Sequence, residues 1–414
     1  MKKIFYRISL LLFILQSIHI AAQPIPVNEN IYSKIFPLSN PSLNRINNEK
    51  NLNSFFQKLL SLKRNKTGVV SIVHIGDSHI QADYFTSVIR NKLQQFFGNS
   101  GRGLVFPYQL AQSNSPPDIT STSNTSWTFN RLAHPEIPIA SGISGYCIQT
   151  NYNGASFDLY LKSNDNNPIQ PFDRLKIFSG GSSSVSWKLL ANNNNSPFLI
   201  KKDETDTSLF KEVDLDHSAD SFSLVSIPSD SLKEFYGVSL ENSTPGIIYH
   251  SIGVNGATYD SYNQATLFWQ QLPALKADIY IISLGTNEAQ KTGLYQNLFM
   301  QQMNLFFEKL KTASPDASIL ITTPADDFYK RHRPNNMLKQ ICTTITTYSF
   351  RHNLPLWDMY RITGAHGSAY KWLRRGLMNK DRVHFTNSGY QVQATFLCDA
   401  FGKAYDNYLK SGIN

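Results

Sequence analysis

Two hydrophobic periods alternate along most of this chain, and a long central stretch interrupts them. Val69-Val70-Ser71-Ile72-Val73-His74-Ile75 is a β-branched run of strand length. Behind it Tyr84, Phe85, Val88, Ile89, Leu93, Phe96 and Phe97 recur at helical spacing. The alternation resumes after Gly246, with strand-like runs near 247–252, 277–284, 317–323 and 355–359. Helical patterns separate them near 260–272, 294–313 and 335–352, and a last one covers 388–409. An amphipathic helix with Phe55, Phe56, Leu59 and Leu60 precedes the first strand. Such alternation predicts a parallel sheet covered by helices on both faces, joined by right-handed crossovers. Ligands of such sheets bind beyond the carboxyl ends of the strands.

The interruption, from about Gln112 to Pro245, is rich in Ser, Asn, Gly and Thr. Short alternating runs such as Ser156-Phe157-Asp158-Leu159-Tyr160-Leu161 and Val185-Ser186-Trp187-Lys188-Leu189 are divided by turn clusters such as Asn192-Asn193-Asn194-Asn195. That pattern predicts an all-β sandwich inserted between the first and second α/β units. The expected organisation is therefore α/β: a three-layer parallel-sheet domain from 23–111 and 246–414, carrying an inserted all-β sandwich over 112–245.

Residues 1–22 have the layout of a signal peptide: basic Lys2, Lys3 and Arg7, an apolar stretch from Ile8 to Leu15, and Ala21-Ala22 before Gln23. The apolar run is short for a membrane span, although an uncleaved anchor is the alternative. No Cys follows the cleavage zone to carry a lipid, and no other segment has the length to cross a bilayer. The expected mature protein is exported, periplasmic or secreted, and not inserted in a membrane.

The formal charge of the chain is +9. Without the first 22 residues it is about +6, the balance of a generally basic exported protein, and nucleic acid is not an expected partner. The densest cluster, Lys330-Arg331-His332-Arg333, reads as a solvated loop, with a substrate-facing role as its alternative. Cys147, Cys342 and Cys398 are too few for a disulfide scaffold and allow one bridge at most. No His/Cys/carboxylate cluster suggests a metal site. The glycine-rich turn at 98–103 lacks the Lys-Ser/Thr ending of a phosphate-binding loop, so no cofactor is expected.

Four short motifs carry chemistry. Gly76-Asp77-Ser78-His79 stands where the first strand meets the helix behind it. A serine there has free backbone N–H groups beside it, which favour developing negative charge. Asp381 and His384 lie three apart, so a helical turn or tight loop aims both the same way. His384 is then placed to take a proton from Ser78, and Asp381 to hold the imidazole. Asn287, in Gly285-Thr286-Asn287-Glu288, offers a side-chain N–H to an oxyanion. Gly256, in Val254-Asn255-Gly256-Ala257, offers an unobstructed backbone N–H. Each motif alone also reads as an ordinary turn.

Gly-Asp-Ser-His, Asn-Gly-Ala, Gly-Thr-Asn-Glu and Asp-x-x-His, in this order, resemble the sequence blocks of the SGNH (GDSL-like) hydrolases, over roughly 66–110 and 245–410. The name-giving residues would be Ser78, Gly256, Asn287 and His384. The resemblance implies ester hydrolysis through an acyl-enzyme, with Ser78 as nucleophile, His384 as general base and Asp381 as its orienting acid. The Ser78 N–H, Gly256 N–H and Asn287 side chain would form the oxyanion hole. No Gly-x-Ser-x-Gly elbow occurs, which argues against an α/β-hydrolase.

The inserted β-region and His79 narrow the resemblance to bacterial peptidoglycan O-acetylesterases, whose insert is similar to a carbohydrate-binding module. The substrate so implied is an O-acetylated glycan, peptidoglycan first. An acetylxylan or other polysaccharide esterase, or an acyltransferase, shares the chemistry. A glycan-binding protein is the reading from another class, with Trp127, Trp187 and Tyr152 as sugar-stacking aromatics and core filling as their plainer role. The role of His79 is open between packing and substrate contact, and the sequence is silent on oligomeric state.

Overall fold

The structure, a computed structural model, describes residues 41–412 apart from 134, 136–137, 164–167, 182–186, 193–196, 201–208, 228–229, 292 and 294. The signal peptide expected over 1–22 lies outside the described residues.

Five strands form the parallel sheet: β1 (Val69–Gly76), β2 (Gly246–Gly253), β3 (Ile279–Ser283), β4 (Ser318–Thr322) and β5 (Leu356–Trp357). Their order is β5-β4-β3-β1-β2, with Ile46–Asn47 added antiparallel at the β5 edge. β1 therefore has β2 on one side and β3 on the other, the 2-1-3-4-5 order whose switch point opens a crevice beyond the ends of β1 and β3.

The sheet is apolar on both faces, and the pleat sorts its side chains. Val70 and Ile72, Ile247 and Tyr249, and Ile279 and Ile281 join one core. That core is shared with helices α1 (Asn53–Asn65), α2 (Thr86–Phe97) and α7 (Asn387–Ser411). Val73 and Ile75, Tyr280 and Ile282, and Ile319 and Ile321 join the other. There they meet Phe299, Phe306 and Phe307 of α4 (Gln296–Ala313) and Leu338, Ile341 and Ile345 of α5 (Asn336–Arg351). The period of two in each strand thus builds three layers. Two short helices complete the frame used below, α3 (Thr286–Gln290) and α6 (Ser368–Arg374).

Between α2 and β2 the chain forms two antiparallel sheets. One has five strands, ordered Phe198–Ile200, Trp187–Ala191, Ser221–Ser226, Ser156–Leu161 and Ile119–Ser123. The other is centred on Lys233–Glu241, which pairs with Phe172–Gly181 and Tyr146–Thr150. Phe157 and Phe235 meet across the two sheets with ring centroids 4.8 Å apart. Antiparallel pairing begins before Gln112: Gly101–Val105 already pairs with Lys233–Glu241. The glycine-rich turn serves this crossing. A Cβ on Gly98 would lie 2.5 Å from the Pro245 carbonyl oxygen, and one on Gly103 2.4 Å from that of Tyr249. Trp127 and Trp187 are buried in the sandwich core, while Tyr152 is exposed. The tryptophans are core residues and present no face to a sugar.

A buried ionic cluster ties the two parts together. The Asp83 carboxylate receives Nη1 and Nη2 of Arg90 at 3.0 and 2.8 Å and Nη2 of Arg102 at 2.7 Å. Arg102, on the first antiparallel strand, also donates to both oxygens of Asp118. Burial raises the pKa of Asp83, but the Arg102 and Arg90 guanidiniums outweigh it and hold the carboxyl at about 2. The three cysteines are buried and unbridged. Among the described residues no helix is long and apolar enough to cross a membrane.

Candidate active site

Ser78, Gly256 and Asn287 follow the carboxyl ends of β1, β2 and β3. Their strands are adjacent and in register, with Gly76 opposite Gly253 on one side and Ser283 on the other. Sheet pairing therefore gathers three segments that are far apart in the chain. The fourth, 381–384, arrives on the loop before α7.

Ser78 opens a helix of one turn, Ser78–Gln81, capped by Asp77, whose Oδ1 accepts the His79 N–H at 2.9 Å. The expected continuous helix from this point does not form. Asp83 takes a left-handed conformation, φ 60°, as its carboxylate turns to the two arginines, and α2 starts only at Thr86. What the serine has beside it is therefore the open N–H groups of one turn, not the dipole of a long helix.

His384 Nε2 lies 2.8 Å from Ser78 Oγ, and His384 Nδ1 lies 2.7 Å from Asp381 Oδ2. Asp381 Oδ1 accepts the backbone N–H groups of Val383 and His384, both at 3.0 Å. The Asp-x-x-His motif is thus a tight loop, not a helical turn, with Arg382 left-handed at φ 62°. Burial works to raise the Asp381 pKa, but these N–H bonds and His384 prevail and hold the carboxyl below its ordinary value. The histidine is partly exposed at the mouth of the crevice.

Two features hold the Gly256 and Asn287 segments. Val254 to Ala257 is a β-turn closed by Ala257 N–H to Val254 C=O at 3.0 Å, with Gly256 at φ 84° in the position that favours glycine. Gln81, three residues after the serine, accepts the Asn255 N–H at 2.7 Å and so fixes that turn against the Ser78 helix. Asn287 Nδ2 donates to Ala257 C=O at 2.9 Å. An amide nitrogen has two hydrogens, so this bond sets the plane of the side chain and leaves the second for a ligand.

Sequence reasoning missed several contributors. Gln81 also accepts the Tyr146 hydroxyl at 2.9 Å and donates to Ser113 Oγ at 2.9 Å, so the antiparallel part reaches into the support of the site. Tyr390 holds His79 Nδ1 at 2.8 Å, and the His79 ring lies 5.1 Å, centroid to centroid, from that of His384. Burial, with His384 adding to it, lowers the His79 pKa to about 3, so His79 stays neutral beside His384. His74 is buried in β1 between the Tyr249 hydroxyl and Ser283 Oγ, at 2.8 and 2.7 Å. No spacing rule in a single sequence links any of these pairs.

Under the site lie four buried carboxyls. Burial raises Asp77 and Asp326 to about 6 and Asp327 and Glu288 to about 7. Among the described residues no group of three or more His, Cys, Asp or Glu side chains is placed to hold a metal ion.

A sequence model described as the GDSL-like Lipase/Acylhydrolase family matches residues 224–392. Over those residues the chain is similar to that family. The matched stretch contains Gly256, Asn287, Asp381 and His384 and omits Ser78, which the sheet brings to them. A solved peptidoglycan O-acetylesterase superposes with a TM-score of 0.72 at 20% identity, covering 86% of this chain and 96% of that one. The SGNH fold is shared with it, antiparallel sheets included. A family two carbohydrate esterase from Cellvibrio japonicus matches at 12% identity over 70% of this chain and 98% of its own, with a TM-score of 0.31. A lipolytic G-D-S-L family protein from Veillonella parvula matches 37% of this chain and 80% of its own at 15% identity, TM-score 0.29. No curated protein matches the sequence. In the sequence match and in the fold the chain is thus similar to esterases of the SGNH type.

Proposed function

We propose that the protein is an exported serine esterase that removes O-acetyl groups from a glycan, peptidoglycan first. The observation that carries the reading is the continuous hydrogen-bond line from Ser78 Oγ through His384 to Asp381, at 2.8 and 2.7 Å. Ser78 Oγ attacks the acetyl carbonyl carbon while His384 Nε2 takes its proton. The carbonyl oxygen becomes an oxyanion beside the N–H groups of Ser78 and Gly256 and the second N–H of Asn287. When the tetrahedral adduct collapses, the C–O bond to the sugar breaks and His384 returns the proton to the sugar oxygen. Water, deprotonated by the same histidine, then attacks the acetyl-serine; the bond to Ser78 Oγ breaks, His384 returns the proton to Oγ, and acetate leaves. Asp381 accepts from Nδ1 throughout and stabilises the imidazolium.

The glycan assignment rests on the antiparallel part and on the likeness in fold to a peptidoglycan O-acetylesterase. On this reading residues 23–111 and 246–414 form the hydrolase part, residues 112–245 the insert, and residues 1–22 the export signal. Acetate release from O-acetylated peptidoglycan and from acetylated xylan, side by side, tests it. Ser78→Ala is expected to lose about 10⁴-fold or more of the turnover, as for removal of a triad nucleophile. A Ser78→Ala protein with full activity would falsify the mechanism. Release from xylan alone would move the substrate to a neutral polysaccharide.

A further inference from the structure

The cationic cluster at 330–333 is exposed, as the solvated-loop reading expects. It forms the end of a small hairpin, Phe328–Tyr329 against Arg333–Pro334. The hairpin is fastened to both halves of the site. Phe328 N–H donates to Arg382 C=O at 3.0 Å and Arg382 Nη1 to Arg331 C=O at 3.4 Å, so one side is bonded to the loop that holds Asp381 and His384. On the other side Gln290 accepts the Lys330 N–H at 3.0 Å and donates to Phe328 C=O at 3.1 Å. Gln290 ends α3, the helix that carries Asn287 in its first turn.

The cations are pre-set. Lys330 Nζ and the Arg333 guanidinium lie 5.4 and 5.2 Å from the centroid of the Tyr329 ring. Lys330 and Arg331 both take left-handed φ, 46° and 65°, a conformation that long side chains rarely adopt and that presents them on a tight bend. Tyr370, 57% exposed, contacts Phe328 of the hairpin, and Arg374 sits four residues on along the same face of α6. Among the described residues none of Lys330, Arg331, Arg333 or Arg374 has an ion-pair partner. The one acidic residue in 328–339 and 366–382 is Asp381, which is engaged with His384. Beside the hairpin runs an open cleft of about 330 Å³, the volume of a small ligand, lined among others by Lys291, Tyr329, Arg333 and Asn336.

We propose that this cleft and its cationic rim form an anion subsite that takes carboxylates carried by the glycan next to the acetylated sugar. The inference rests on the glycan-esterase reading and extends it to the charge of the substrate. Arginine forks match carboxylates bidentately, and a binding site fastened to the His384 loop and to α3 places the polymer relative to the reacting ester. The Tyr329 ring is taken up by its two cations, so it offers no free platform for a nucleic-acid base.

The test uses the Ser78→Ala protein for binding and the active protein for turnover. Binding to peptidoglycan sacculi is measured at 50 and 300 mM NaCl, with acetylated xylan freed of uronic acids as the polymer without carboxylates. Sacculus binding is expected to weaken about tenfold with salt, and xylan binding to stay level. Arg331→Glu with Arg333→Glu should lower sacculus binding about tenfold and remove its salt dependence. It should also lower the ratio of peptidoglycan to aryl-acetate kcat/KM by a similar factor. Arg374→Glu, on the separate helix, should move the same quantities the same way. Salt-independent sacculus binding, or equal losses on both polymers, would overturn the subsite. So would competition by duplex DNA at matched charge, which would make it a nucleic-acid surface. Salt-sensitive, Arg331/Arg333-dependent binding without acetate release would keep the subsite and reject the esterase reading. Acetate release untouched by the variants would do the reverse.

Discussion

At the scale of single residues the site is built by pairs that aim one another. Asn287 gives one amide hydrogen to Ala257 C=O and keeps one, so its side chain is oriented before any substrate arrives. Asn287→Ala should therefore cost about 10²–10³-fold in kcat on an acetyl ester with little change in KM, the scale for one oxyanion donor. Steady-state kinetics check this, and an effect confined to KM would remove Asn287 from the oxyanion side. Gln81 acts one step further out, since it holds the Asn255 N–H and not the substrate. Gln81→Ala should lower kcat through a loosened Gly256 turn. It should also lower stability by about 1–3 kcal/mol, because it leaves the buried Tyr146 hydroxyl and Asn255 N–H without that acceptor. Thermal melts and kinetics on the same preparation separate the two effects.

At the scale of elements the decisive joint is the Asp83 cluster, which binds α2, the first antiparallel strand and the loop at Asp118. Asp83→Asn leaves Arg90 and Arg102 buried with less than their charge answered. It should destabilise the fold by about 3–5 kcal/mol in urea unfolding, as for removal of one partner from a buried pair. Replacement of an exposed ion pair such as Arg174–Asp214 should cost under about 1 kcal/mol. None of this cluster was legible in the sequence, because its members are joined only by the crossing of two architectures. The main elements were legible. The run ending at Ile75 is β1 with one residue more, and the patterns at 294–313, 335–352 and 388–409 are α4, α5 and α7 to within two residues. Each buries a face wide enough to impose its period. Short elements were not. The pattern at 260–272 breaks at Ala265 into Tyr259–Gln264 and Thr266–Gln271, α6 and the 328–334 hairpin show no pattern in the sequence, and the strand Gly101–Val105 begins inside the glycine-rich turn expected at 98–103. These pieces are fixed by tertiary contacts and carry too few residues to show a period. The Ser78, Gly256, Asn287, Asp381 and His384 segments were visible because each falls at a strand end or helix start. Their supports, Gln81, His74 and Tyr390, had no local signal.

At the scale of the whole molecule, the buried carboxyls beneath the site set a pH dependence. Asp77, Asp326, Asp327 and Glu288 have folded-state pKa values raised by burial to about 6 or 7. Their stabilising effect is fully present below their unfolded values near 4 and is lost as pH rises through 6–7, by at most about 1.4 kcal/mol per group per pH unit. Asp83, held low, acts only in the acid, where its contribution is lost as pH falls below about 4 toward 2. The melting temperature should therefore fall between pH 5 and 8, and Glu288→Gln should flatten part of that slope. A level profile in both proteins would refute the account. The three thiols have a use of another kind. Cys147 lies in the antiparallel sandwich, Cys342 in α5 on one face of the parallel sheet and Cys398 in α7 on the other, all buried. The sandwich and the two helix layers thus each contain a chemical clock of their own. The rate at which an alkylating reagent marks each cysteine reports how often that layer opens, with no engineered label, and the order of marking ranks the layers by local stability.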